Sequence, residues 1–236
     1  MSPRNVVAAA VTSLALLIGS SSVAAADPIE DTAGEPANVG DAKTAAIAYH
    51  DSGQYQHDLA EVAAQAINWI GTQAPTTPRA AVVFDIDETA LSNWEVIKAN
   101  DFGRFISGPC NLPDACAWRA WDLTARSTVI QPTLDTYNMA KSLSAAVFFI
   151  TGRDEGQRAA TERNLHSTGY TDYTELIMAP QGVQFASAAD FKAPRRAAIE
   201  AEGYTIVANI GDQPSDLAGG HSEQTFLLPD PFYRIP

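Results

Sequence analysis

The chain has 236 residues, 46% hydrophobic and 18% charged, with 28 acidic against 15 basic side chains and a formal net charge of −13. That is a globular composition, of a length for one domain with an insertion or for two small ones. The negative charge repels nucleic-acid polymers and anionic membrane surfaces at long range, so any anionic substrate must be held by local cations.

Residues 1–26 read as a secretory signal peptide. Arg4 gives a basic start, residues 6–18 form an apolar run too short to span a bilayer, and Ala24, Ala25 and Ala26 supply a small-residue cleavage site. No Cys follows the run, so no lipid anchor is expected, and no later segment is long and apolar enough to cross a membrane. The protein is therefore expected to be secreted, to the extracellular space or the cell envelope. Residues 27–40, acidic and carrying Pro28 and Pro36, are expected to form a flexible arm. Residues 41–79 are expected to be a helical segment packed on the core. Within it, 41–71 predicts one helix, with Tyr55, Leu59, Val62, Ala63, Ala66, Ile67 and Ile70 on one face and Gly71 just past its end.

Residues 80–93, AAVVFDIDETALSN, are the centre of the chain. An apolar run into Asp85 and Asp87 predicts a strand buried on both faces with carboxylates at its C-terminal end. Two carboxylates one residue apart repel unless a cation or a proton offsets their charge, so the pair calls for a metal ion, a proton-transfer role, or both. Residues 94–131 are too long and aromatic for a plain connection, with Trp94, Phe102, Phe105, Trp118 and Trp121, and predict a small helical insertion beside the site. The only two cysteines, Cys110 and Cys116, fall there and are expected to pair in a secreted protein. The four histidines show no metal-ligand spacing.

From Pro132 onward helices and strands alternate. A helix runs to Leu143. A strand over 145–150 ends in Thr151, Gly152 and Arg153, and a helix follows over 154–167. Short strands are expected at 176–179 and 225–228. A helix opens at Pro194, with Lys192 on the loop before it, and a strand over 205–210 ends in Gly211 and Asp212. This alternation predicts an α/β fold: a parallel sheet of about five strands covered by helices. In such a sheet the strand ends converge on one crevice. The crevice would hold Asp85, Asp87, Thr151, Gly152, Lys192, Asp212 and Asp216. Arg153 is read as a structural partner for a carboxylate and left outside the site. Three of the assignments have plainer readings: Thr151 as a helix cap, Asp216 as a helix-start residue, and Arg195 or Arg196 in place of Lys192.

This inventory suits phosphoryl transfer. Carboxylate oxygens from several strands match Mg2+. One carboxylate can attack phosphorus, a lysine can offset phosphate charge, and a second acid can move the proton. The strings DIDETALSN, ITGR, FKAPRR, NIGDQPSDLAG and TFLLPDPFY resemble the haloacid dehalogenase (HAD) superfamily, within it the acid phosphatases of subfamily IIIB. The pattern is D-x-D-x-T after a strand, a strand ending in Thr or Ser, a Lys, then D-x(3)-D, and it covers roughly residues 55–233. The resemblance implies a Rossmann-type HAD core over 80–236 with 94–131 as its cap. It implies Asp85 as nucleophile and Mg2+ ligand, and Asp87 as general acid/base whose backbone carbonyl reaches the metal. Thr151 and the Gly152 amide would bind phosphate, Lys192 would hold nucleophile and phosphate together, and Asp212 and Asp216 would complete the metal site. It implies a Mg2+-dependent acid phosphatase acting on small phosphomonoesters. Two other activities stay open: phosphotransfer to an alcohol from the same site, and a storage or ligand-binding protein on a phosphatase-like scaffold. Some storage-type relatives lack the nucleophilic Asp that this chain keeps. Plant-type relatives usually carry Trp where Pro214 stands, and class C relatives Tyr where Val96 stands.

Overall fold

The structure, a computed structural model, describes residues 36–235. The expected signal peptide and most of the expected arm lie outside the described residues.

The N-terminal helical segment is two helices where one was expected: α1 (Val39–Asp51) and α2 (Gln54–Gln73). The break falls at Gly53, whose φ of +86° is left-handed backbone that glycine adopts at low cost. Only α2 carries a buried face, with Tyr55, Leu59, Ala63, Ala66 and Ile70 inside, while α1 buries no residue. Helix α1 begins at Val39, inside the expected arm, because the Asn38 side chain accepts the N–H groups of Gly40 and Asp41. Gly71 lies inside α2 and not past its end. The chain tightens only at Ala74–Thr76, where Pro75 sits in the first turn and needs no N–H.

Strand β1 (Ala80–Phe84) is buried along its whole length. Its side chains alternate between the two hydrophobic clusters of the molecule. Val82 and Phe84 join Leu59, Ile70, Phe149 and Val207 under α2, and Ala81 and Val83 join Phe148, Ile150, Phe191 and Ile199 on the opposite face. Each such Val or Phe contributes roughly 1.5–3 kcal/mol by leaving water.

The chain continues through β2 (Leu91–Ser92), α3 (Trp94–Ala99), α4 (Trp118–Thr124) and β3 (Thr128–Val129). This stretch is less helical than expected. Residues 100–117 form no helix, Cys110 and Cys116 are disulfide-bonded within them, and β3 returns to pair antiparallel with β2. After α5 (Gln131–Ser142), β4 (Ala146–Asp154) extends past its apolar residues to include Thr151, Gly152 and Arg153. Then come α6 (Arg158–Ser167) and β5 (Glu175–Ala179).

Helix α7 (Ala188–Ala201) starts six residues before Pro194, so Lys192 lies inside the helix and not on a loop ahead of it. A capping box decides this: the Ser187 hydroxyl accepts the Asp190 N–H, and the Asp190 carboxylate accepts the Ser187 N–H. The chain closes with β6 (Thr205–Gly211), the short α8 (Pro214–Leu217) and β7 (Gln224–Leu227). The five-stranded parallel sheet has order β5-β4-β1-β6-β7, which puts β1 at its centre with β4 and β6 on either side. No helix among the described residues is long and apolar enough to cross a membrane.

One loop after α8 is held unusually closely. The buried Arg196 donates to the carbonyls of Asp216 (2.7 Å), Ala218 and Gly220 (2.9 Å). Gly219 has φ +85°, and a Cβ there would lie 2.5 Å from the Ala193 Cβ. Gly219→Ala is therefore expected to destabilise the fold by about 1–3 kcal/mol, through backbone strain and overpacking together. Urea denaturation checks this.

Candidate active site

The C-terminal ends of β1, β4 and β6 open into one cleft of about 440 Å³. Strand β1 delivers Asp85, whose N–H donates to the Ile210 carbonyl of β6 at 2.9 Å and is thereby fixed against the neighbouring strand. Beyond it the chain turns sharply, with the N–H groups of Thr89, Ala90 and Leu91 all reaching the Ile86 carbonyl. Strand β6 delivers Asp212, and α8 delivers Asp216. From the middle of α7, Lys192 Nζ reaches Asp85 Oδ1 and, at 2.7 Å, Asp216 Oδ1. All four of these side chains are buried.

Asp85, Asp212 and Asp216 each offer a carboxylate oxygen within 4.8 Å of the others, a group able to hold a metal ion. An all-oxygen donor set with a buried excess of negative charge fits a hard divalent cation. Asp212 is oriented from behind: Thr89 Oγ1 donates to one oxygen at 3.0 Å and Gln213 Nε2 to the other at 2.6 Å, and Gln213 is shared with Asp230. Asp216 makes the helix-start contact and also faces the site. Its Oδ2 accepts the Gln213 N–H at 2.9 Å as a helix-start residue, and its Oδ1 takes the Lys192 ammonium.

The electrostatics separate the two carboxylates of β1. Burial pushes Asp85 up to about 7, with Asp216 and Asp87 adding to the effect and Lys192 opposing it. Burial also raises Asp212 well above the usual range, helped by Asp216 and Asp85. Asp87 goes the other way: burial opposes its charge, but Arg153 and the Asn93 amide outweigh it and hold the carboxyl below its ordinary value. For Lys192, burial works against the ammonium and the two carboxylates prevail, so its proton is held more tightly than usual.

The structure thus brings together Asp85, Lys192, Asp212 and Asp216, with Gly152 on the cleft wall. Asp87 lines the same cleft but its side chain is paired away from the triad, to Arg153. Thr151 is fully buried and caps no helix. Its hydroxyl accepts the Arg153 N–H at 3.1 Å, while Asp154 makes the cap that follows. Of the basic residues on α7, Lys192 alone reaches the carboxylates: Arg196 holds carbonyls and Arg195 lies over Phe191.

Several residues of the site escaped sequence reading. Arg153, taken as a structural partner for some carboxylate, pairs with Asp87 itself, at 2.6 Å. Asn93 binds Asp87 and Glu88, and Tyr233 donates to Glu88 at 2.9 Å while lining the cleft. Asp122, from α4, approaches Arg153 at 3.3 Å, and burial pushes it up to about 7. The strings that hold Asn93 and Arg153 stand out in the sequence, the first for its aspartates and the second for Thr151 and Gly152.

A five-stranded parallel sheet covered by helices, with aspartates gathered beyond the C-terminal end of its central strand, is an α/β fold of Rossmann type with an acidic site where such sheets bind ligands. Residues 14–236 match the family described as HAD superfamily, subfamily IIIB (Acid phosphatase), and the chain belongs to that family, by class a phosphoric monoester hydrolase. It is 34% identical over 185 residues to the Stem 28 kDa glycoprotein of Glycine max, covering 77% of this chain and 70% of that one. It is also 34% identical over 154 residues to Acid phosphatase 1 of Solanum lycopersicum, covering 65% and 58%. Vegetative storage protein 1 of Arabidopsis thaliana is 30% identical over 187 residues, covering 78% and 67%. In fold the chain is similar to the class C acid phosphatase from Bacillus anthracis, with TM-score 0.64 at 19% identity, over 83% of this chain and 86% of that one.

Proposed function

We propose that the protein is an exported, Mg2+-dependent acid phosphatase that hydrolyses small phosphomonoesters through an aspartyl-phosphate on Asp85. The observation that carries this is the buried contact of Asp85 with Lys192, at the end of the central strand and within reach of Asp212 and Asp216. A carboxylate fixed in this way is a nucleophile whose charge is offset on one side only, leaving the cleft side for phosphorus.

In the first step a carboxylate oxygen of Asp85 bonds to phosphorus and the bond from phosphorus to the leaving oxygen breaks. Asp87 gives that oxygen its proton. In the second step water attacks the phosphorus, Asp87 takes the proton of the water, and the bond to Asp85 breaks to release inorganic phosphate. The negative charge of a bound phosphate raises the proton affinity of neighbouring carboxylates, which offsets the pull of Arg153 on Asp87. Lys192 holds Asp85 and the transferring phosphoryl group together. The Gly152 amide and the Thr151 hydroxyl, whose own proton is left to donate, bind the phosphoryl oxygens. Asp85, Asp212, Asp216 and the backbone carbonyl of Asp87 would hold the Mg2+ ion. That ion, when bound, supplies positive charge against the phosphate and the crowded carboxylates. Residues 94–131 would act as the cap over the cleft, and residues 1–26 as the export signal.

The test is a panel of phosphomonoesters assayed with Mg2+ and after chelation. Turnover is expected to vanish in EDTA and to return on adding Mg2+, and full activity in excess EDTA would reject the metal site. Adding an alcohol to the same assay separates hydrolysis from phosphotransfer, since transfer yields a new phosphate ester. The storage reading is supported by the names of relatives alone, whereas the retained Asp85, with Lys192, Asp212 and Asp216 beside it, supports the enzyme reading.

A further inference from the structure

We propose that the insertion between β1 and α5 sets the orientation of the Asp87 carboxylate, through two relays of buried side chains. One runs from Asp122 to Arg153, the other from Trp121 and Ser127 to Asn93. The inference rests on Asp87 as the proton-transfer group.

Two side chains clamp Asp87. Arg153 places Nε 3.2 and 3.1 Å from its two oxygens and Nη2 2.6 Å from Oδ1, and Asn93 Nδ2 donates to Oδ1 at 2.8 Å. Neither clamp is free to choose its direction. Asn93 Oδ1 accepts from Trp121 Nε1 at 2.8 Å and from Ser127 Oγ at 2.7 Å. Because both donors face that oxygen, the amide nitrogen must be the end turned to Asp87. Arg153 has Asp122 Oδ1 at 3.3 Å from the same Nη2 that binds Asp87, an ion pair without a hydrogen bond, and Asp122 is fixed through its other oxygen by Gln157 Nε2 at 2.6 Å. Trp121, Asp122 and Ser127 all come from the insertion, and with Asn93 and Arg153 they are all buried. The Asp87 side chain keeps 21% of its surface exposed in the cleft, whereas Arg153 and Asp122, which also border the cleft, are buried, and Asn93, Trp121 and Ser127 lie behind it.

A carboxyl has two torsions, and proton transfer needs it within hydrogen-bond reach of the leaving oxygen. The two relays remove that freedom before substrate arrives. Trp121, Asp122 and Ser127 are positioning residues: they act through Asn93 and Arg153, and their loss should be felt only where the leaving group needs a proton.

The experiment compares kcat/KM, which reports the steps through leaving-group departure, for an n-alkyl phosphate and for 4-nitrophenyl phosphate. The variants are Ser127→Ala, Asp122→Ala, Asp87→Asn and Ser127→Ala combined with Asp87→Asn. Ser127→Ala and Asp122→Ala should each lose about tenfold on the alkyl ester and less than about threefold on the aryl ester, part of the 10²–10⁴ that general acid catalysis is worth. Ser127→Ala should cost nothing further on top of Asp87→Asn, since the relay ends there. Mg2+ activation curves should be unchanged. Should Asp122→Ala fail to fold, as judged by circular dichroism, Ser127→Ala decides alone, because it deletes one hydroxyl. Equal losses on both esters, no loss on either, or losses that multiply with Asp87→Asn overturn the inference. If Asp87→Asn itself lowers both esters equally, the proton role of Asp87 fails and the inference falls with it. If Asp87→Asn discriminates and Ser127→Ala does not, only the inference fails.

Discussion

Asp85→Asn should abolish turnover on every phosphomonoester, alkyl or aryl, by on the order of 10⁴-fold or more, as expected for removal of a nucleophile. The amide cannot attack phosphorus, and it removes a carboxylate oxygen from the group able to hold a metal ion. The same substitution should not harm the fold. Burial pushes the Asp85 carboxyl from 3.8 up to about 7. A carboxyl raised in this way binds more protons folded than unfolded, so in metal-free protein stability falls as pH rises through that window. Asn has no such proton to lose, and its unfolding free energy should lack that part of the slope between about pH 4 and pH 7. Steady-state assays, acid-quench trapping of phosphoenzyme and urea titrations across that range measure both halves. Turnover retained by Asp85→Asn would move the nucleophile elsewhere.

Lys192→Met should remove activity and cost stability together. The lysine is 4% exposed, and its ammonium is the cation in contact with both Asp85 and Asp216. Breaking a buried pair from one side leaves uncompensated charge and typically costs 3–5 kcal/mol, roughly the effect expected here. Two things temper that cost. Protonation of the stranded Asp85 carboxyl, which burial already pushes up to about 7, limits it at low pH, so the loss should be smaller at pH 5 than at pH 8. A divalent cation that binds the folded state alone stabilises it by mass action, so Mg2+ should raise the urea midpoint of the variant more than that of the wild type. A variant as stable as wild type at pH 8 without metal would mean that the ammonium does not hold these carboxylates.

The parts of the site legible in the sequence were those written locally. A strand buried on both faces is apolar at every position, so β1 and its two aspartates stood out, and β4 and β6 followed by the same reasoning. Lys192 was legible as one of three cations, but its place was not. Pro194 looked like a helix start and hid the Ser187–Asp190 capping box, and with it the fact that Lys192 sits on a rigid helix. The clamp on Asp87 is legible only in part: Arg153 reads as the partner of some carboxylate, but which one does not show, because pairing across the sheet leaves no local signature. Arg153 lies 66 positions from Asp87, and Asp122 comes from a segment that reads only as a helical insertion beside the site. Thr89 sat in plain view within the motif, yet its partner Asp212 is 123 positions away.

Those separations bear on when the site comes into being as the chain is made. Lys192 reaches Asp85 across 107 positions, Thr89 reaches Asp212 across 123, and Tyr233 reaches Glu88 across 145. Contacts this far apart form late, because the intervening chain must be closed before they are rewarded. A nascent chain with β1 already outside the ribosome would still lack the lysine, the third and fourth aspartates and the tyrosine. With the proposed catalytic groups distributed in this way, the site cannot close until synthesis has passed Tyr233.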